Sequence, residues 1–463
     1  MNVNPITRLD YPDPDVIRVE DTYYMVSTTM HFMPGCEILQ SFDLVHWEHV
    51  TYVYETLDHT DAQQLKSGQN IYGQGMWAAS LRYHEGRFCI CFVANDTRKT
   101  YLYTSEKIDG PWKKQLIEGF YHDGSLLFDE DGRNYIVYGN DEIWITELNE
   151  DLTAPKKDGL HRLLVSDHKN PELGYEGSHI QKINGYYYIF LIHSLRDRWM
   201  RTEACFYSDS LEGEFTGGDV LCDDRGYCGQ GVAQGGIVDT PDGKWYAMLF
   251  QDSGAVGRIP ILLPVTWKDH FPFFGQNGHV PEEIEVHSTR PGYIYQPLVG
   301  SDDFCNGLLP RWQFNHDPDP RYYHLDALQG TYTITTREVC TELTQAVNTL
   351  TQRMSYPSCA AEVTVDASAL KEGDVAGLCA LQSCYAAVGI TKHHGKYEVL
   401  MLDKKEDGIL DMTEGTVVES HQMDFRLEAD FCNMKDEARC YYRVNKGDWL
   451  PIGTVHKLYF KLD

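Results

Sequence analysis

Five residues recur at one position of a repeating pattern: Asp13, Trp77, Asp123, Glu176 and Gln234. Each of the last four stands nine positions before the glycine of an Asp/Asn/Glu-Gly turn (Gly86, Gly132, Gly185, Gly243), and Asp13 is their counterpart ahead of a turn one residue shorter. Three of the five are carboxylic acids. Carboxyl groups that face one cavity resist ionising together, so their pKa values are driven apart. The result is one acid kept protonated and one carboxylate kept basic, which is what general acid/base chemistry needs. Trp77 adds a flat apolar platform and Gln234 a neutral hydrogen-bonding group. Taken singly, Asp13 in Tyr11-Pro12-Asp13-Pro14-Asp15 reads as a turn former, Asp123 as a loop cap and Glu176 as a surface charge. Three acids at equivalent places in one repeat point instead to a shared site of glycosidase type. Binding of calcium or magnesium is the competing chemistry, but no compact acidic loop of the DxDxDG kind is present.

The elements that must carry these residues are strands. Helical periodicity is scarce, and short runs of Tyr, Val, Ile and Phe alternate with Gly, Asp and Pro turns, the pattern of an all-β chain. The repeat unit is an apolar strand, a tight turn and an aromatic strand. Its copies are Val16–Val19 with Tyr23–Val26, Ser80–Tyr83 with Phe88–Cys91, Leu126–Phe128 with Tyr135–Tyr138, His179–Lys182 with Tyr186–Ile189, and Gly236–Asp239 with Trp245–Met248. Asn-Gly and Asp-Gly suit such hairpins because those residues tolerate positive φ. A spacing of roughly 45–65 residues is that of a four-stranded propeller blade. Five copies predict a five-bladed β-propeller over residues 1–298, with the five repeated residues around its central channel. After Arg290-Pro291-Gly292 and Ser301-Asp302-Asp303 the repeat stops. Short strands at 331–335, 360–365 and 386–390 then predict a β-sandwich over 302–463.

Composition limits the partners. The 463 residues carry 40 Lys+Arg against 69 Asp+Glu, a formal net charge of −29. A field of that sign repels phosphate backbones and anionic lipid surfaces, so neither nucleic acid nor membrane is expected as a partner. No apolar run approaches the roughly 18–20 residues of a membrane span. The start, Met1-Asn2-Val3-Asn4-Pro5, does not read as a signal peptide, and the 13 scattered cysteines lack CxxC spacing, so a reducing cytoplasm is the expected location. The absence of a GxxxxGK[ST] loop argues against phosphoryl transfer.

An ordered set of motifs resembles glycoside hydrolase family 43, the β-xylosidases and α-L-arabinofuranosidases. It runs through Asn4-Pro5-Ile6, Tyr11-Pro12-Asp13-Pro14-Asp15, Pro34-Gly35, Ser41-Phe42-Asp43-Leu44-Val45-His46-Trp47 and Trp77-Ala78-Ala79-Ser80-Leu81-Arg82-Tyr83. It continues in His122-Asp123-Gly124-Ser125-Leu126, Tyr175-Glu176-Gly177-Ser178-His179 and Gly257-Arg258-Ile259-Pro260. The resemblance implies Asp13 as general base, Glu176 as general acid and Asp123 as the third carboxylate that tunes and orients the acid. It also implies that Arg258 reaches the sugar site and that Trp77 is the aromatic of the family's Trp-Ala-Pro segment, with Ala79 in place of Pro. Gln234 stands where many relatives carry His, and His31 and Phe32 lie where xylosidases often place a pocket aromatic. The implied activity is inverting removal of terminal β-D-xylosyl or α-L-arabinofuranosyl residues from neutral xylan-derived oligosaccharides. An arabinoxylan-debranching arabinofuranosidase is the alternative, followed by a non-catalytic sugar-binding propeller. No organic cofactor is implied, and a structural calcium in the channel is compatible with the resemblance. The C-terminal part resembles the concanavalin-like domain of family 43 xylosidases, which usually continues past the segment matching His456–Phe460, so one or two terminal strands are expected to be missing or replaced.

Overall fold

The structure, a computed structural model, describes residues 2–460. Met1 and residues 461–463, at the outer bounds of the two expected domains, lie outside the described residues. The chain is all-β. Its first part forms five four-stranded antiparallel sheets, each built from strands consecutive in sequence apart from one two-residue strand, Phe32–Met33, that leaves the first sheet to pair elsewhere. The first sheet comprises Asp15–Val19, Thr22–Val26, Gly35–Ser41 and Glu48–Tyr54. The others open with Met76–His84, Ser125–Phe128, Glu176–Ile183 and Gly236–Asp239. Each opening strand pairs with the aromatic strand expected from the repeat, and the Gly86, Gly132, Gly185 and Gly243 turns all have positive φ. Asn2–Val3 pairs with Glu283–Ile284, which ties the segment before the first sheet to the segment that follows the fifth.

The opening strands of the sheets lie side by side, joined by buried polar groups. Asp15 of the first sheet accepts from the Leu81 amide (2.6 Å) and Arg82 Nη1 (2.8 Å) of the second, and pairs with His179 Nδ1 (3.0 Å) of the fourth. Arg82 continues to Ser125 Oγ (2.8 Å) and the Leu126 carbonyl (2.9 Å) of the third sheet and the Ile180 carbonyl (3.2 Å) of the fourth. Gln181 donates to the Ile237 carbonyl (2.7 Å), joining the fourth sheet to the fifth, and Arg18 pairs with Asp239 to join the fifth to the first. Burial would raise the Asp15 carboxyl, but Arg82 and His179 hold it below its usual range. Such a buried charge is tolerated only because its hydrogen-bonding capacity is met.

The second part contains two antiparallel sheets. One is formed by Ser358–Asp366, Gln422–Asp430, Glu437–Arg443 and Leu450–Lys457, the other by Val375–Ala380, Tyr385–His393, Lys396–Lys404, Leu410–Met412 and Thr416–Val418. Alternate residues of both, among them Val388, Ile390, Val399, Met401, Phe425, Leu427 and Ala438, share one apolar core, as expected when two sheets pack face to face. That core also takes in Val256 and Ile259 of the fifth sheet's region. A strand at Gln313–Asn315 pairs with Phe32–Met33 of the first part. Arg353 is buried against the Tyr11 ring (4.2 Å), ion-pairs with Glu37 (3.0 Å) and donates to the Asp10 carbonyl (2.8 Å). The later part of the chain thus grips the segment that leads into Asp13. Among the described residues no helix is long and apolar enough to cross a membrane, and the cysteines form no disulfide.

Candidate active site

Asp13, Asp123 and Gln234 lie two residues ahead of the strands that open the first, third and fifth sheets, and Trp77 and Glu176 sit beside bulges at the starts of the second and fourth. All five therefore project from the same end of neighbouring strands. Asp13 (φ 52°) and Asp123 (φ 47°) adopt left-handed backbone, which Asp tolerates better than most residues and which persists where the surroundings over-determine it. For Asp13 the fixing partners are Thr28 Oγ1, donating at 2.6 Å to one carboxylate oxygen, and Arg258 Nη1, donating at 3.0 Å to the other. For Asp123 it is the Gly177 amide at 2.9 Å. Gly177 has φ 67°, and a Cβ there would lie 2.3 Å from the Gln234 side chain. Only glycine lets the chain after Glu176 close onto both Asp123 and Gln234.

Glu176 Oε2 is 3.4 Å from His122 Nε2 and accepts from Asn140 Nδ2 at 3.1 Å. The same His122 nitrogen is 3.5 Å from Asp123, and its ring meets Trp77 edge-on at 5.9 Å. Burial pushes the Asp123 carboxyl upward and the charges of Glu176 and Asp13 add to this; His122 and the Gly177 amide oppose it, and the outcome is about 6. Burial disfavours the charged form of His122, but Asp123, Glu176 and Asp13 outweigh it and raise the imidazole to about 9. Two upward shifts in one polar cluster, each toward holding a proton near neutral pH, mark a site adapted to proton transfer.

Arg258 begins its strand with its amide held by Asp10 Oδ1 (2.7 Å) and its guanidinium over the Phe250 ring (4.9 Å). It also ion-pairs with Asp252 (3.3 Å), its register partner across the sheet, and Asp252 pairs in turn with Arg201. His31 and Phe32 lie to one side. The Met30 and Met76 backbones bond to each other, which brings His31 close to the Trp77 segment. The His31 ring is buried among Phe32, Tyr72 and His316, while Phe32 is half-buried. The structure therefore gathers Asp13, Asp123, Glu176, Arg258, Trp77 and Gln234, and sets His31 and Phe32 in an adjoining aromatic cluster.

Sequence reasoning passed over His122, Asn140, Thr28, Asp252 and Arg201. His122 was within reach, since it directly precedes Asp123. The others depend on pairing across strands that no spacing reveals. His122, Asp123 and Glu176 offer donor atoms within 4.8 Å of one another. Calcium takes about six to eight oxygens, and two carboxylates with an imidazole nitrogen do not make that donor set. The trio reads as proton chemistry.

Known proteins resemble the chain in both sequence and structure. A β-xylosidase of Formosa agariphila is 27% identical over 462 residues, covering 87% of this chain and 76% of that protein. A non-reducing end α-L-arabinofuranosidase of Bacteroides ovatus is 24% identical, covering 89% and 79%. The structure of a bifunctional GH43-CE protein of Bacteroides eggerthii superposes with a TM-score of 0.92 at 41% identity over 99% of this chain; the chain spans 59% of that longer protein. An engineered GH43 glycoside hydrolase with both endo-xylanase and exo-arabinofuranosidase activity gives 0.86 at 26% identity, covering 98% of this chain and 93% of that one. Residues 301–461 match the β-xylosidase C-terminal concanavalin A-like domain. Residues 3–272 match the glycosyl hydrolases family 43, and with three carboxyl groups at the common end of its opening strands the chain belongs to that family of glycosidases.

Proposed function

We propose that the chain is an inverting, exo-acting glycosidase that removes terminal β-D-xylosyl and/or α-L-arabinofuranosyl residues from neutral xylan-derived oligosaccharides. In this reading the five sheets are the blades of a propeller over residues 1–298, and the two later sheets are a concanavalin-like sandwich over 302–463 that buttresses it. The observation that carries the reading is the contrast between the carboxyl groups. Asp13 is held by two donors, Arg258 and Thr28, the surroundings of a carboxylate that accepts a proton from water. Glu176 instead lies beside His122, a proton-bearing neighbour, and Asn140.

Asp13 deprotonates the attacking water, whose oxygen bonds to the anomeric carbon as the glycosidic bond breaks. Glu176 gives its proton to the departing oxygen. An inverting pair is separated by roughly 6.5–9.5 Å to admit that water. After each turnover Asp13 releases the proton it took to solvent, and Glu176 regains one from solvent by way of His122, which lies within hydrogen-bonding reach and is itself reprotonated from solvent. No cofactor enters. The relatives named β-xylosidase and α-L-arabinofuranosidase support the substrate class.

The test is proton NMR of hydrolysis of xylobiose, 4-nitrophenyl β-D-xylopyranoside and 4-nitrophenyl α-L-arabinofuranoside. Xylose released from the β-linked substrates and appearing first as its α-anomer is the expected result. Any arabinose released from the α-linked substrate should likewise appear first as its β-anomer. A first-formed β-xylose or α-arabinose, or inertness toward every substrate, would overturn the reading. The proton store has its own consequence. His122 loses its proton as pH rises through about 9, so the alkaline limb of kcat/KM should fall there. In His122→Asn the limb should move to lower pH. Without the imidazolium the Asp123 carboxyl is pushed further up from about 6, and it becomes the cluster's last exchangeable proton in place of His122. An unchanged alkaline limb in the variant would remove His122 from the mechanism.

A further inference from the structure

A second aromatic side chain stands by the site, on the loop between the middle strands of the fourth sheet, Tyr186–Ser194 and Arg201–Ser208. Trp199 is 44% exposed, although its neighbour Arg201 is largely buried. The loop is firmly held. Ser194 Oγ accepts from the Met200 amide (2.8 Å) and donates to the Arg198 carbonyl (3.2 Å), while the Leu195 amide bonds to the Met200 carbonyl (3.1 Å). Arg201 lies over one face of the indole, 5.3 Å from its centre, and the exposed remainder of the ring is open.

Arg201 links this ring to the reaction centre. It pairs with Asp252, which pairs with Arg258, which holds Asp13, and both arginines lie over the Phe250 ring. The charges of Glu176 and Asp13 both act on Arg201, and its Nε is a buried donor with no acceptor. A firmly held, half-exposed indole backed by a guanidinium is a surface for a sugar ring, whose apolar pyranose face stacks on it.

We propose that Trp199 and Arg201 form the subsite for the departing part of the substrate, where an uncharged pyranose of the leaving saccharide stacks on the open face of Trp199. This rests on the glycosidase reading above. The loop belongs to the same sheet as Glu176, which protonates the leaving oxygen, and its exposed indole is placed to receive the side of the bond that continues into the oligosaccharide.

The test compares xylobiose with β-D-xylopyranosyl fluoride, whose fluoride leaving group is too small to reach an aglycone platform. Trp199 is the residue to vary, because Arg201 also holds Asp252. Trp199→Ala should lower kcat/KM for xylobiose by about tenfold or more, as expected for loss of one ring-stacking contact. Hydrolysis of the fluoride should stay within about twofold of wild type. Trp199→Phe should recover most of the xylobiose activity. Equal losses on both substrates, or no loss on xylobiose, would overturn the subsite. A wild-type enzyme inert toward both substrates would overturn the xylosyl-releasing reading beneath it, and the two failures differ in which protein shows them.

Discussion

Glu176→Gln is expected to lower kcat/KM for xylobiose by about 10³-fold while leaving an activated aryl β-D-xylopyranoside within about tenfold of wild type. The difference comes from the leaving group. A sugar hydroxyl leaves as a strong base and needs its proton during bond cleavage, whereas a nitrophenolate leaves without one. The substitution is nearly isosteric, and the Gln side-chain oxygen can still accept from Asn140 Nδ2 as Glu176 Oε2 does at 3.1 Å. It also removes one of the charges that raise His122 and Asp123, so both should titrate at lower pH in the variant than their values of about 9 and about 6. Losses of equal size on the two substrates would show that Glu176 is not the acid.

Much of this site was legible because a repeat places equivalent residues at equivalent points. Asp13, Trp77, Asp123, Glu176 and Gln234 keep one distance from their turns because the run of chain from the common end of the sheets to each hairpin has nearly the same number of residues, however much of it is paired as strand, and a sequence records such a run directly. The strand register follows for the same reason: aromatic and β-branched runs separated by Asn-Gly or Asp-Gly permit few alternatives. What escaped notice is set by pairing across strands. Asp252 meets Arg258 because they are opposite each other on adjacent strands, and Thr28 reaches Asp13 from the far end of a hairpin. His122 was overlooked because a single histidine beside an acid carries no periodic signal.

The grip of the later part on the site is equally hidden in the sequence. Arg353 belongs to no repeat, yet it ion-pairs with Glu37 of the first sheet and binds the Asp10 carbonyl, while the Asp10 carboxylate holds the Arg258 amide. Burial pushes the Asp10 carboxyl up to about 6 although Arg258 and Arg353 lie close by. One buried arginine of the later part therefore braces both segments that fix Asp13: the loop before it and the strand that carries its guanidinium partner. This gives buttressing a physical meaning, since a base must be held to within fractions of an ångström for water to attack in line.

Asp13→Asn should be the more general lesion. The structure allows an Asn at this position with little disturbance: its carbonyl oxygen can accept from Arg258, and the Thr28 hydroxyl can turn to accept from its amide. The fold and the thermal midpoint should therefore survive. What is lost is the group that takes the proton from water, and water attacks whatever the leaving group. Turnover should fall by about 10³–10⁴-fold on xylobiose and on the aryl xyloside alike. Azide needs no base, so adding it should restore release of nitrophenolate from the aryl xyloside, with a carbon–nitrogen bond formed at the anomeric carbon and the glycosyl azide inverted. The two variants together fix the roles. Asp13→Asn should be indifferent to the leaving group and Glu176→Gln governed by it. If Asp13→Asn spared the aryl xyloside while Glu176→Gln abolished activity on both substrates, the acid and the base would have to be exchanged, and Arg258 and Thr28 would then be holding the proton donor.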